Sequence, residues 1–564
     1  MSLQAETNQP IPEDTQRVAR AAFPKGNLYI RMRDELGAIY LDEPFSQLFP
    51  NRGQPAESPG RLAWVTVLQF SEGLSDRQAA EAVRARIDWK YVLGLDLTDP
   101  GFHYSVLSEF RARLIQGGQE SALLDALLAE LKQKNLIKAG GQQRTDATHV
   151  LASVRQLNRL EIVGETVRRA LNELAEADPT WVQTIAQPEW FSRYGRRFEQ
   201  IRLPKEKEER DALAETIGTD GSYLLDAVQA HPQADDLRSL EGVEFLRRMW
   251  IQQFWVETTP GGGRRLHLRE KDDQPPGELR LHTPYDEEAR FSAKREQEWV
   301  GYKVHLSETC EEKKVHAITE VTTTLATQAD MATLDTIHTT LADKDLLPKE
   351  HLLDAGYVDG EALVSAPRDL GVTLISPVKE IASWQAKAGE GFDLGQFAID
   401  WENHWVTCPL GQTSAQWCER HTQGRKDAIQ VRFSAMFCRA CPSREQCTRA
   451  KSGARTITFL PEDQHERIQQ ARREQNTPEF RKKYARRAGV EGTISQGVRC
   501  YGVRVTRYVG LAKTHLQMLA TATAINLHRL FDWWEQKPQA KTRVSRFAQL
   551  NPDPRPVAPW WAAV

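Results

Sequence analysis

Three carboxylates stand out by their surroundings rather than by their type. Asp146 sits in Arg144-Thr-Asp-Ala-Thr-His-Val150, Asp354 in Leu352-Leu-Asp-Ala-Gly-Tyr357, and Glu491 in Tyr484-Ala-Arg-Arg-Ala-Gly-Val-Glu491. The first two close strand-like segments. The third lies far downstream on a basic helix. Hard oxygen donors brought together by a fold can hold Mg2+, and two such ions can clamp the attacking and leaving oxygens of a phosphodiester. Mn2+ suits the same ligands. A lone aspartate at a turn is ordinarily structural, so the argument rests on context.

Charge supplies part of that context. The chain of 564 residues has a net charge of only -3, which excludes a uniformly polybasic binder. Between 481 and 530, however, ten Lys and Arg face a single acid, Glu491. A field of that sign attracts phosphate, although a solvated helix face is the ordinary reading of a basic stretch.

The seven cysteines carry a second pattern, Cys408-x29-Cys438-x2-Cys441-x5-Cys447, with Cys418 as an alternative ligand. In a reducing compartment this spacing reads as a structural Zn2+ site rather than as disulfides. The competing reading is reduced thiols in an ordinary small insertion.

Elements must bring the carboxylates together. Residues 15–140 read as helical. Leu62–Phe70 is an apolar helix stopped at Gly73, Ser75 and Gln78 have capping-box spacing, and further helices follow at 79–83 and 105–114. This fits a helix-turn-helix with Arg77, Arg84 and Arg86 offered to DNA, and a plain helical bundle fits as well. After Asp146 an acidic helical insertion runs over about 152–285. Alternation then places Val300, Tyr302, Val304 and Leu306 on one strand face, with Lys303 and His305 on the other, open to substrate or solvent. Strands at 315–322, 351–354 and 372–376, with a helix at 330–341, complete an α/β core with a mixed sheet. Gly356 is expected to permit a sharp turn at Asp354, and Tyr357 to pack nearby.

The expected organisation is therefore a helical N-terminal domain at 15–140 and the first part of the core at 141–380. A Cys-rich insertion at 395–470, the glutamate-bearing part of the core at 471–535 and a flexible tail at 536–564 follow. Residues 258–278 and 382–395 read as linkers. The tail's Pro559-Trp-Trp561 is a candidate docking element. No apolar run reaches the roughly 18–20 residues of a membrane span, and residues 1–14 are polar, so the expected location is cytoplasmic.

Taken together, these motifs resemble bacterial insertion-sequence transposases of the DDE type. That family carries Tyr-x2-Arg-x3-Glu-x6-Lys on the glutamate helix. Tyr484, Arg487 and Glu491 match its first three places, while the Lys place holds Val498, with Arg499 beside it. The resemblance implies an RNase H-like catalytic domain. It implies Asp146, Asp354 and Glu491 as catalytic ligands of Mg2+ or Mn2+. Tyr484 and Arg487 would contact DNA, with Arg499 and Lys303 as further candidates, although Arg487 is also placed for a simple i,i+4 ion pair with Glu491. The implied function is binding of terminal inverted repeats, metal-dependent cleavage and strand transfer into target DNA. Such a protein would work as a dimer or larger assembly on double-stranded DNA, associated with the bacterial nucleoid. Two alternatives are a catalytically silent DNA-binding regulator and a nuclease without strand transfer.

Overall fold

The computed structural model describes residues 2, 3, 5, 9–50, 52–155, 157–201, 203–258, 264–294, 296–379, 383–420, 427–451, 453–537, 546, 547 and 550. The candidate docking element at 559–561 lies outside the described residues.

A mixed sheet organises the centre. Strand β1 (Gln142–Leu151) leads into helices between Arg159 and Gln253, which end in the hairpin β2 (Phe254–Thr258) and β3 (Arg264–Leu268). The chain returns through β4 (Arg290–Lys294), β5 (Gln297–Thr309) and β6 (Ile318–Leu325). Strand β5 runs antiparallel to β1 from Gln143↔Thr309 to Leu151↔Gly301. Its other edge takes β6 along Tyr302–Glu308 and β4 along Gln297–Gly301. The helix Leu334–Asp343 then carries the chain to β7 (Glu350–Leu352), which pairs parallel with β1 and with β8 (Thr373–Ile375). Both are three-residue strands, and His351, Leu352, Leu374 and Ile375 are all buried. Parallel strands covered on both faces have this lack of alternation.

The N-terminal helices obey their expected local signals. Ser58 caps Pro59–Glu72, which ends at Gly73 with φ 70°. Ser75 and Gln78 form a complete capping box on Asp76–Ala85. Packing ties these helices to the rest of the chain. Pro59–Glu72 is buried almost all round and lies against the C-terminal helix Leu511–Trp534. Trp64, Leu68, Leu127, Val304, Ile337, Leu519 and Ile525 belong to one hydrophobic cluster. The expected N-terminal domain therefore shares its main core with the sheet. Its arginines are engaged as well: Arg86 pairs with Glu72 and Asp88, Arg84 with Glu81, and Arg77 lies over the Tyr104 ring.

The helical insertion has a cluster of its own, including Val163, Val167, Ile217, Leu246 and Trp250. A third cluster, with Val406, Val431 and Phe433, holds β9 (Ala398–Asp400), β10 (Trp405–Thr407), β11 (Gln416–Arg420), β12 (Ala428–Arg432) and β13 (Thr456–Phe459).

Four details differ from expectation. Asp146 lies inside β1, not at its end. His305 is buried, bonded to the Tyr357 hydroxyl at 2.7 Å rather than facing solvent. The strand expected at 315 starts at Ile318, because Val315 instead bonds the Leu136 carbonyl. Gly356 is absent from the left-handed glycines, and an added methyl there would stand 3.4 Å from Asp330. Among the described residues no helix is long and apolar enough to cross a membrane.

Candidate active site

Register explains how two aspartates 208 positions apart come together (354 − 146). The parallel pairing of β1 with β7 ends at Arg144↔Leu352. Asp146 and Asp354 each lie two residues beyond that last pair. Alternation along β1 sends Thr145 to the far face, where its hydroxyl meets Ser307 and His351. Arg144 and Asp146 point to the face covered by the helix Ala488–Tyr501.

That helix delivers the third carboxylate. The chain passes through a single 3-10 turn, Ala485–Arg487, before the helix begins. Arg487 is buried in the angle between turn and sheet, and all three carboxylates converge on its guanidinium. Nη2 lies 2.9 Å from Asp146 Oδ2 and 3.8 Å from Asp354 Oδ2, and Nη1 lies 3.6 Å from Glu491 Oε1. Side-chain exposure rises from 6% at Arg487 through 16% at Asp146 to 37% and 43% at Asp354 and Glu491. The guanidinium is thus the floor of the site, and the carboxylates open upward from it. Its Nε is buried and has no hydrogen-bond partner among the described residues.

Burial and crowding set the charges. Burial raises the Asp146 carboxyl above its ordinary range; Arg487 and the Ala147 amide pull it down, and Asp354 adds to the rise. Glu491 is raised by burial too, with Arg487 lowering it and the two aspartates raising it. Burial works against the Arg487 cation, but Asp146, Tyr484 and the other acids outweigh it, and its pKa is raised.

A cleft of about 610 Å³ opens over the triad, and Lys303, Asp330, Arg499 and Arg504 are among its lining residues. Arg499 is exposed there. Lys303 is turned to Asp330 Oδ1 at 2.7 Å and to the Gln328 carbonyl. Tyr484 stacks on Phe480 at 5.6 Å and packs against Leu352 and Ile375, and burial pushes its hydroxyl up to about 12. Sequence reasoning missed Asp330, Arg504, Lys294, His149 and Trp299, which also line the cleft. His149 stands in the Asp146 motif itself, three residues on along β1; the pairing of β4 with β5 brings in Lys294 and Trp299, and the 3-10 turn Asp330–Thr333 brings in Asp330.

The cysteines form a separate grouping. Cys408, Cys438, Cys441 and Cys447 line one cavity of about 420 Å³ with Phe397 and Phe433. Burial raises the Cys447 thiol, Arg455 opposes that rise, and the other three thiols add to it. Cys418 is exposed on β11 and does not line that cavity. Among the described residues, no three His, Cys, Asp or Glu side chains stand ready around a metal position. At the triad this has a visible cause, since each carboxylate is turned to Arg487.

Two families match the chain. Residues 407–531 match one described as a transposase DDE domain, and residues 17–113 match one described as a transposase domain (DUF772). The first span contains Tyr484, Arg487, Glu491 and the four cysteines; neither contains Asp146 or Asp354. No curated protein and no solved structure matches.

Proposed function

Because these two matched domains indicate an insertion-sequence DDE transposase, we propose that the chain cuts DNA at the ends of its mobile element and joins the freed 3′-hydroxyls to target DNA. The observation that carries this reading is the convergence of Asp146, Asp354 and Glu491, from three separate elements, on one buried cation. Asp146, Asp354 and Glu491 supply the hard oxygen donors that Mg2+ or Mn2+ requires, and they would hold such an ion on turning from Arg487. When bound, the ions lower the pKa of the attacking hydroxyl and stabilise the leaving 3′-oxygen.

The chain's own groups do the rest. Arg487 balances the acids at the floor, its planar fork holding Asp146 and Asp354 through one nitrogen and Glu491 through the other. Arg499, Arg504 and Lys294 line the cleft and neutralise the neighbouring backbone. Tyr484 braces the turn that carries Arg487. A water or a 3′-hydroxyl can occupy the same position, so one site serves both hydrolysis and joining. The order β6–β5–β1–β7–β8, with β5 antiparallel and β7 and β8 parallel to β1, supports an RNase H-like core. We further infer that the N-terminal helices recognise the terminal repeats, that two or more copies act on paired ends in the nucleoid, and that the four clustered thiols take a structural Zn2+.

The test is cleavage and joining of a labelled duplex carrying the element's own ends, with Mg2+, by wild type and by Asp354→Asn. Mg2+-dependent 3′-hydroxyl ends and joined products, absent in the variant, are expected. Equal activity in both proteins would remove Asp354 from the site. Binding without cutting by wild type would move the protein to the silent regulators.

A further inference from the structure

The helix that delivers Glu491 stands on a buried ion cluster outside the cleft. Glu308 on β5 is wholly buried. Its Oε1 accepts from Arg144 Nε at 2.6 Å, and its Oε2 accepts from Arg529 Nη1 at 2.7 Å and from Thr493 Oγ1 at 2.5 Å. Arg529 Nη2 donates back to Thr493 at 2.6 Å. Arg144 also donates through Nη1 to the Arg486 carbonyl at 2.6 Å. A Cβ built on Gly489 would fall 2.0 Å from Arg144 Nη1 and 2.2 Å from its Cζ. The helix backbone therefore lies directly on the guanidinium, and only glycine allows that approach.

The placement is informative. Arg144 stands two residues before Asp146 on the same strand face. It grips the chain on both sides of Arg487, at Arg486 and at Gly489, while Thr493 is anchored two residues after Glu491. None of Arg144, Glu308, Thr493 and Arg529 lines the cleft. A buried ion cluster is a poor route to stability, since apolar side chains of the same volume do as well or better. What it provides is direction, through donors and acceptors fixed in angle as well as distance.

We propose that Arg144 and Glu308 are positioning residues: they set the height and register of residues 486–493, so that Arg487 and Glu491 face Asp146 and Asp354. This rests on reading the triad as a divalent-metal site, and adds to it the cluster that aligns its third ligand. Arg144→Met removes the grip while leaving Glu308 paired with Arg529 and Thr493, so the fold has a means to survive. Gly489→Ala forces the same surfaces apart with every charge in place.

The experiment measures, on the full chain, hydrogen exchange over 488–494 and Mn2+ binding by electron paramagnetic resonance. In both variants exchange over 488–494 rises and Mn2+ affinity falls about tenfold or more, while exchange over 511–534 stays at the wild-type level; Arg144→Lys is intermediate. Unchanged exchange in both variants overturns the proposal. Raised exchange with unchanged Mn2+ affinity overturns it too, because the cluster would then be structural only. A wild-type chain that binds no Mn2+ sinks the metal reading of the triad instead, and the seating of 486–493 is then decided by exchange alone.

Discussion

Arg487 carries the largest consequences of any single side chain. Its positive charge lies within 4 Å of three carboxylates and lowers the pKa of both Asp146 and Glu491. Arg487→Ala removes that restraint, and both carboxyls move further above their ordinary range. Metal ligation needs them ionised, so activity is present at high pH and lost as pH falls through these pKa values. The acid limb of the pH–rate profile shifts to higher pH in the variant. Cleavage falls by about 10²–10³-fold, the usual loss when one preorganised electrostatic group is removed. Arg487→Lys recovers the acid limb but not the full rate, because an ammonium lacks the planar fork. A profile for Arg487→Ala that overlays wild type would remove the guanidinium from the site. Glu308 gives a stability counterpart. Burial would raise its carboxyl, but Arg529 and Arg144 outweigh burial and hold it below its ordinary value. A depressed carboxylate pKa contributes stability above the unfolded-state value of about 4.3 and loses it as pH falls through the folded value. Glu308→Gln leaves the buried Arg144 and the half-buried Arg529 short of their counter-charge, costs about 3–5 kcal/mol at neutral pH, and flattens the acid limb of urea stability.

At the scale of elements, local signals and tertiary packing divide the structure between them. The Ser75–Gln78 capping box and the Gly73 stop were legible because each is settled within a turn of helix. Ser75→Ala is expected to cost about 1 kcal/mol, read as a shift in urea midpoint with unchanged slope. The alternation of β5 and the Asp and Glu motifs were legible too. The burial of His305 was not, since a period of two marks a face but does not say whether a second layer covers it; Tyr357 does so here, with Thr324 of the neighbouring β6 beside it. The fate of Lys303 turned on Asp330, a partner 27 residues away. The gathering of the four cysteines in one cavity was legible from spacing alone. If they take Zn2+, the purified protein carries about one zinc per chain, and Cys441→Ser loses it by elemental analysis while Cys418→Ser keeps it. Equal zinc in both variants would dismiss the four-cysteine site.

The whole molecule departs most from a reading as beads on a string. The C-terminal helix Leu511–Trp534 packs against Leu28–Leu36, Pro59–Glu72, Ser105–Gln116 and Ala122–Gln133 as well as against β6. Polar contacts fix the same junction: Ser71 Oγ meets His528 at 2.8 Å, Thr523 donates to the Leu123 carbonyl at 3.2 Å, and Arg507 donates to the Leu74 carbonyl at 2.7 Å. Sequence proximity gave no sign of this, because its partners stand about 400 positions apart. The region matched as a transposase domain at 17–113 thus shares one core with the C-terminal helix of the part matched as a DDE domain at 407–531. End recognition by the N-terminal helices would be coupled to the triad through a shared core rather than a linker. Removing residues 1–140 would uncover the side of Leu511–Trp534 that packs on those four helices, where Thr523 meets Leu123 and His528 meets Ser71. At roughly 1.5–3 kcal/mol for each large apolar side chain, exposing even about four of them would match the roughly 5–15 kcal/mol by which a domain is ordinarily stable. A chain starting at residue 141 is therefore expected to lose near-ultraviolet circular dichroism and its cooperative urea transition. Supplying residues 1–140 as a separate chain should restore both. A truncated protein with a sharp, native-like transition of its own would show that the catalytic sheet folds alone, and the coupling between end recognition and chemistry would then have to run through DNA.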